Sequence, residues 1–472
     1  MNPPPRSSTA RPPSGPEPSH SFSYPLGCLA SAESATGTQP LWTEATKDGP
    51  APARTLTGVR CDYFERDVCR SCSWLPLSYD DQLDDKLAAA RALLPEPREG
   101  WLAPVRSPRE RFRNKAKVSV GGTVDAPLLG IPSLAGPVGA VTDLAACPLH
   151  VEPIEAALGT LRSFVTRATL VPYDVATRRG ELKHLLVTAN PRGELMVRFV
   201  LRSREAETRI RKHLPDLLAE LPGLRVVSLN LLPEHAALTE GAQEIVLVGD
   251  TLTMPVDDLD LHLRPRSFFQ TNTGVAAALY RRAAAWVGEL APRSLWDLYC
   301  GVGGFALSAA RAVPGLDVLG VEISDEAIAS ARRSAADLGL DNARFEVGDA
   351  TTVDGSGTRR GGVGRDEADT TGGAAGRTTS GAPAGDADSS GPDVAPTPDV
   401  VVVNPPRRGI GPDLAAWLER GRAEAVLYSS CNPTTLARDL AAMPSLRLER
   451  AQLLDMFPNT PHSEVLTLLR RV

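Results

Sequence analysis

From residue 266 to the C-terminus, short apolar runs alternate with stretches whose apolar residues recur at helical spacing. SLWDLYC (294–300), DVLGVEI (317–323), RFEVGDA (344–350), DVVVVNPP (399–406), AVLYSS (425–430) and VLTLLRRV (465–472) read as strands. FALSAARAV (305–313), SDEAIASARRSAADLG (324–339) and residues 413–423 read as helices between them. This alternation predicts an α/β unit with an open, mostly parallel sheet and ligands at the carboxyl ends of its strands. Between 101 and 262 the rhythm differs. KVSVGG (117–122), HLLVTAN (184–190), ELMVRFVLR (194–202) and EIVLVGD (244–250) surround a helical pattern at 151–168. These predict a separate α+β unit on an antiparallel sheet. Further upstream, Asp81–Leu94 has Leu83, Leu87, Ala90 and Leu94 on one helical face.

Two stretches carry no such pattern. Residues 1–55 hold eleven prolines, and residues 351–398 hold eleven glycines among Thr, Asp, Ser and Pro. Neither can bury enough apolar surface to offset the entropy of ordering, so both are expected to be disordered. Deleting 351–398 with a short linker is expected to leave activity intact. The expected organisation is a tail (1–55), a cysteine-bearing segment (56–100), a central α+β unit (101–265) and a C-terminal sheet unit (266–472) carrying the insert. No run of eighteen apolar residues and no secretory signal is evident, which points to a cytoplasmic protein, taken as a monomer.

The net charge of −6 argues against a nucleic-acid partner only on average. Half of it comes from 351–398, with seven acidic and four basic residues. Residues 106–117 carry six basic residues against one acid, around Phe112, and a second basic run comprises Arg198, Arg202, Arg204, Arg209, Arg211 and Lys212. Such stripes can contact phosphates, or they can be ordinary solvated faces.

DLYCGVGGF (297–305) places three glycines between a strand and a helix, where a ligand can approach the backbone. Glu322 ends the next strand, where an acid would bind ribose hydroxyls or simply precede a helix N-terminus. Asn404-Pro405-Pro406 leaves a strand of four valines and fixes the backbone at the sheet edge. Together these favour S-adenosylmethionine over a dinucleotide, for which the tighter glycine spacing is missing. Cys431 follows an apolar strand and precedes a helix, a setting that lowers a thiol pKa, although cysteines also fill space in cores. His462 and Glu464 lie in an expected loop before the last strand, where Glu464 could be a base with a raised pKa or a charge guarding a strand edge.

Of seven cysteines, Cys61, Cys69 and Cys72 have the spacing C-x7-C-x2-C, with Cys147 a distant fourth. Four thiolates suit zinc or a [4Fe–4S] cluster equally on spacing. Cys28 falls in the tail, and Cys300 is expected to pack beside the glycine turn.

These segments, with FRNKAKVSV, CPLH, RPRSFFQTN, VVVNPPRRGIG, YSSCNPTTLARDL and DMFPNTPHSEVLTLL, resemble the RNA uracil-5-methyltransferase family over residues 61–472. The likeness is to the family's short branch acting on 23S ribosomal RNA (uracil-747 type), in which no RNA-binding β-barrel precedes the cysteine motif. The resemblance implies a Rossmann-like class I methyltransferase fold and S-adenosylmethionine as methyl donor. It implies Cys431 as nucleophile, Glu464 as base, Gln270, Tyr299, Glu322 and Asn404 as cofactor contacts, and a [4Fe–4S] cluster on Cys61, Cys69, Cys72 and Cys147. Asn404 stands where many longer relatives have Asp. The same residues would serve on transfer RNA or another ribosomal uridine. An RNA-binding assembly factor is the alternative of another class, against which an intact Cys431 and Glu464 count. A redox or radical enzyme would need an open iron site, which four thiolates leave none of. An amino-group methyltransferase would want an aromatic residue where Arg407 stands.

Overall fold

The computed structural model describes residues 59–134, 136–235, 238–350 and 397–472. The tail and all but the last two residues of the expected insert lie outside them. The described chain opens with α1 (Asp62–Glu65) and α2 (Tyr79–Leu93), then β1 (Trp101–Val105). A central block follows: β2 (Lys115–Gly122), β3 (Pro127–Pro132), β4 (Val141–Asp143), α3 (Glu152–Arg167), β5 (Leu182–Ala189), β6 (Leu195–Leu201), α4 (Glu207–Glu220), β7 (Leu224–Leu231) and β8 (Gln243–Val248). The hairpin β9 (Leu252–Val256) and β10 (Leu259–Leu263) leads into α5 (Thr273–Leu290). The C-terminal block is β11 (Ser294–Leu298), α6 (Gly304–Ala312), β12 (Asp317–Glu322), α7 (Asp325–Asp337), β13 (Ala343–Val347), β14 (Val400–Val403), α8 (Gly411–Arg420), β15 (Ala425–Ser430), α9 (Pro433–Ala441), β16 (Leu446–Leu454) and β17 (Glu464–Arg471).

The C-terminal strands form an eight-stranded sheet in the order β1-β16-β17-β15-β14-β11-β12-β13. From β15 to β13 neighbouring strands are parallel, while β17 runs antiparallel to β15 and β16. The four valines of β14 are buried, as a strand covered by helices on both faces requires. Caps set the helix starts: Ser324 Oγ accepts from Ala327 N ahead of α7, and Asn272 Oδ1 from Val275 N ahead of α5. This is the open, mostly parallel α/β sheet expected from the strand–helix rhythm, and the class I methyltransferase fold that the resemblance implies.

Trp101–Val105 departs from its expected place. Instead of starting the central unit, β1 pairs in parallel with β16 at the edge of the C-terminal sheet. The cysteine-bearing segment is thereby stitched to the far end of the chain. Hairpin β9–β10 also packs there: its leucines share a core with α5 and α6, and His262 N donates to Ser334 Oγ on α7.

The central sheet has the order β4-β3-β2-β5-β6-β7-β8 and is not purely antiparallel, because β6 and β7 pair in parallel across the crossover helix α4. That helix is easy to miss in ETRIRKHLPDLLAE, where charge hides the buried stripe of Ile210, Leu214 and Leu217. Helices α3 and α4 share a core with one face of this sheet, through Ala116, Val118, Val197, Phe199 and Leu201. The alternate positions face the other way and are largely polar: Lys115, Lys117 and Arg198.

The basic run that begins at Arg198 is not an open phosphate stripe. Arg198 is buried between Glu240 and Glu244, each at 2.6 Å. Arg202 pairs with Glu181, Arg204 and Arg211 with Glu207, and Arg209 with Glu205. Much of the earlier run is also engaged: Arg106 with Asp80, Arg111 with Glu155, Lys117 with Glu240. Acids three or four residues away, or across the sheet, cancel what composition alone suggested.

Candidate active site

The carboxyl edge of the eight-stranded sheet gathers most of the expected site residues on five adjacent strands. Register fixes their order. Val321 of β12 faces Leu298 of β11, which faces Val403 of β14, which faces Tyr428 of β15. The next residues on β12, β11 and β14 are Glu322, Tyr299 and Asn404, side by side. On the other side, Ser430 of β15 faces Val465 of β17. Continuing that antiparallel register by one residue sets Cys431 opposite Glu464, a pairing that puts Cα atoms about 5 Å apart. Strand spacing makes the edge from Glu322 to Glu464 roughly 19 Å wide.

The glycine turn is strained in the way a ligand-facing loop requires. Tyr299 has φ +70°, and its N–H and that of Cys300 both donate to Val321 O. Gly303 has φ +88°, and a Cβ on Gly304 would lie 2.4 Å from the Tyr280 ring. Glu322 accepts from Gly301 N at 3.3 Å and Ser324 N at 3.0 Å, so it ties the turn to the start of α7. Its carboxylate thus serves the helix start as well as the cleft. Gln270 is not on this sheet: it is buried in the segment between β10 and α5, its carbonyl accepting from Asn114 Nδ2.

Half-buried Cys431 stands between the end of β15 and α9, whose N-cap Asn432 accepts from Thr434 N. Asn432 Nδ2 and Thr435 Oγ1 both donate to Arg407 O, joining the Cys431 turn to the Asn404–Arg407 loop. Glu464 is the first residue of β17, not a loop residue, and pairs with Leu454 of β16. It is 1% exposed. Burial pushes its carboxyl up to about 7, against the opposing effect of Ser429 Oγ, which donates to Oε1 at 2.5 Å. A carboxyl held there can be ionised at neutral pH and still accept a proton.

Three residues of this edge escaped the sequence reading. Ser429 was hidden inside an apolar strand. Asp297 is fully buried under the glycine turn, where burial lifts its carboxyl to about 7 despite the Ala306 N–H bond. Its position before the glycines was the available signal. Asp439 of α9 accepts from Ile410 N and Tyr428 Oη, clamping the loop after Asn404, and only the fold reveals that reach.

Residues 397–472 match the family model tRNA (Uracil-5-)-methyltransferase, and residues 294–359 match a methyltransferase domain. The 23S rRNA (uracil(747)-C(5))-methyltransferase RlmC of Halothiobacillus neapolitanus is 45% identical over 88% of this chain and 100% of its own length. The enzyme of that name from Shewanella amazonensis is 45% identical over 87% of this chain and 97% of its own length. The chain belongs to the RNA uracil-C5-methyltransferase family. In fold it is similar to the Pyrococcus abyssi tRNA (uracil-54, C5)-methyltransferase solved with S-adenosyl-L-homocysteine, with a TM-score of 0.64, 24% identity, and coverage of 84% of this chain and 85% of that one.

In this methyltransferase the four expected cluster cysteines approach one another at a distance from the sheet edge in sequence. Cys61 precedes α1, Cys69 and Cys72 follow it, and Cys147 sits in the turn before α3. Burial pushes the Cys72 thiol up to about 12, and the nearby Cys147, Cys69 and Cys61 push it further the same way. Cys147 is raised to about 11, again by burial first, with Cys61 and Cys69 adding to it. Among the described residues, however, no group of three or more His, Cys, Asp or Glu side chains is drawn to metal-ligating geometry. The thiols are neighbours without meeting at a common point. Cys300 is buried by the glycine turn, and Cys28 lies outside the described residues.

Proposed function

We propose that this chain methylates C5 of a uridine in 23S ribosomal RNA, of the uracil-747 type named for its 45%-identical relatives, with Cys431 as nucleophile and Glu464 as base. The observation that carries the reading is the β15–β17 register, which ends with Ser430 facing Val465 and so leaves Cys431 and Glu464 at adjoining strand ends, beside Asn404, Tyr299 and Glu322. Gln270, Tyr299, Glu322 and Asn404 would hold S-adenosylmethionine. When bound, it supplies an electrophilic methyl group on a sulfonium.

Uracil C5 is a poor nucleophile. The Cys431 thiolate adds to C6, and the electron pair of the C5–C6 double bond moves to C5 and O4 as an enolate; C5 then takes the methyl group as its bond to sulfur breaks, leaving the donor as the neutral thioether S-adenosylhomocysteine. C5 then carries both the methyl group and its original hydrogen. Glu464 removes that proton, the double bond re-forms, and Cys431 leaves as thiolate. A target base inside RNA structure must leave its stack to reach Cys431. Glu464 enters the cycle ionised, which its buried setting permits near and above pH 7.

By residue type Cys61, Cys69, Cys72 and Cys147 would supply four thiolates, although they are not drawn to a common point, and the family resemblance favours a [4Fe–4S] cluster over zinc there. The methyl transfer moves no electrons through them, so a cluster there would serve structure or RNA positioning. Iron and sulfide in equal amounts after anaerobic reconstitution, lost in Cys72→Ser, is the expected result; zinc without sulfide would replace the cluster in this reading.

Incubation with S-adenosylmethionine and deproteinised 23S ribosomal RNA, followed by mass-spectrometric mapping, tests the function. A single 5-methyluridine, absent with Cys431→Ala, is expected. Product on transfer RNA alone would keep the chemistry and move the substrate.

A further inference from the structure

The loop between β16 and β17 delivers Glu464, yet much of what holds it comes from the other end of the chain. Asp455 N donates to Val105 O at 3.0 Å. Lys86 Nζ reaches Asp455 Oδ1 at 2.6 Å and Phe457 O at 3.0 Å, with both side chains of the pair wholly buried. Asn459, also fully buried, has φ +64° and is gripped on every side. Its carbonyl accepts from Trp74 N, two residues after Cys72. Its N–H donates to Gln82 Oε1 at 2.8 Å, its Nδ2 donates to Arg109 O at 3.0 Å, and its Oδ1 accepts from Arg109 Nε at 2.9 Å.

We propose that Lys86 and Asn459 are positioning residues for proton abstraction: the cysteine-bearing segment latches the β16–β17 loop so that Glu464 meets the C5 proton of the adduct. The inference rests on the reading of Glu464 as the base. A buried lysine on a helix face is costly unless its partner is fixed, and here the partner, Asp455, lies nine residues before Glu464, the first residue of β17. The nucleophile is held mainly by β15 and the α9 cap, and the face of α2 that packs on α9 carries Ala90 and Leu94 rather than Lys86. Loosening the latch should therefore spare addition and methyl transfer and slow the elimination step.

Three variants of the full chain test this: Asn459→Gly, which keeps the left-handed backbone and deletes the side-chain grip; Lys86→Met combined with Asp455→Asn, which leaves no buried unpaired charge; and Glu464→Gln as reference. Each is incubated with S-adenosylmethionine and 23S ribosomal RNA. Methyl incorporation in a single turnover, steady-state turnover, and RNA retained on the protein in a denaturing gel are read together. The latch variants should lose about 10- to 100-fold in steady-state turnover, as a small misplacement of a catalytic group does. Single-turnover methylation should stay within about threefold while the gel-stable adduct accumulates as in Glu464→Gln. If Glu464→Gln accumulates adduct and the folded latch variants do not, the latch is overturned and the base stands. If Glu464→Gln itself accumulates none, the base assignment fails and the latch with it. Unfolding of both latch variants also overturns the inference, because the contacts are then ordinary packing.

Discussion

Arg198 in the central sheet and Glu464 in the methyltransferase sheet are almost equally buried, at 2% and 1% exposure, but their surroundings are opposite. Arg198 faces two carboxylates, and the group as a whole is closed. Glu240 shows this: burial alone would raise its carboxyl, but Arg198, Lys115 and Lys117 hold it down at about 2. Glu464 has a serine hydroxyl in place of a cation, and its carboxyl rises to about 7. Full pairing makes a charge structural, whereas withholding the cation leaves a group that can exchange protons near neutrality. The difference separates the sheet that supports from the sheet that reacts.

The contrast breaks most severely at the nucleophile. Cys431→Ala should lower turnover on the order of 10⁴-fold or more without unfolding the protein, read by methyl incorporation alongside a urea melt. Glu464→Gln should cost about 10²- to 10⁴-fold in turnover, yet stabilise the protein at pH 8 by ~3 kcal/mol in a urea melt. The sign follows from the raised pKa. The native state holds a proton there between about 4.5 and 7 that the unfolded chain has lost, so its stabilising contribution is full below 4.5 and disappears as pH rises through 7. Turnover should rise over that same interval as the base ionises. A pH profile flat from 6 to 8 (roughly one unit either side of neutrality) would count against Glu464.

In the central sheet the effects invert. Arg198→Met leaves Glu240 and Glu244 buried without their cation and should destabilise by about 3–5 kcal/mol, while the folded fraction turns over normally. Glu240 contributes stability above its usual 4.5 and loses it as pH falls toward 2, opposite in direction to Glu464. The smallest effect belongs to the exposed helix pair. Arg209→Ala should change stability by under about 0.5 kcal/mol and leave RNA affinity nearly unchanged by filter binding, since Glu205 already occupies that guanidinium.

The strands and helices of the C-terminal unit were legible because apolar runs, glycine turns and helix starts all agreed there. So were the positions of Cys431 and Glu464 beside strand ends, on which their proposed chemistry rests. What stayed hidden depends on distant partners. Lys86 interrupts its helix face as a charged residue, and only Asp455, far along the chain, explains its burial. β1 is too short and too ordinary to reveal that it would pair with β16 rather than join the central sheet. The basic stretch at 198–212 misled because its acids lie one helical turn away or across the sheet, so local charge did not equal surface charge.

The most direct test of the account uses 23S ribosomal RNA carrying tritium at C5 of its uridines. The account predicts tritium release to water in step with methyl incorporation, neither with Cys431→Ala, and methyl incorporation without matching release in Glu464→Gln. Methylated RNA that keeps its tritium with the unaltered protein would place the methyl group elsewhere and contradict the claim.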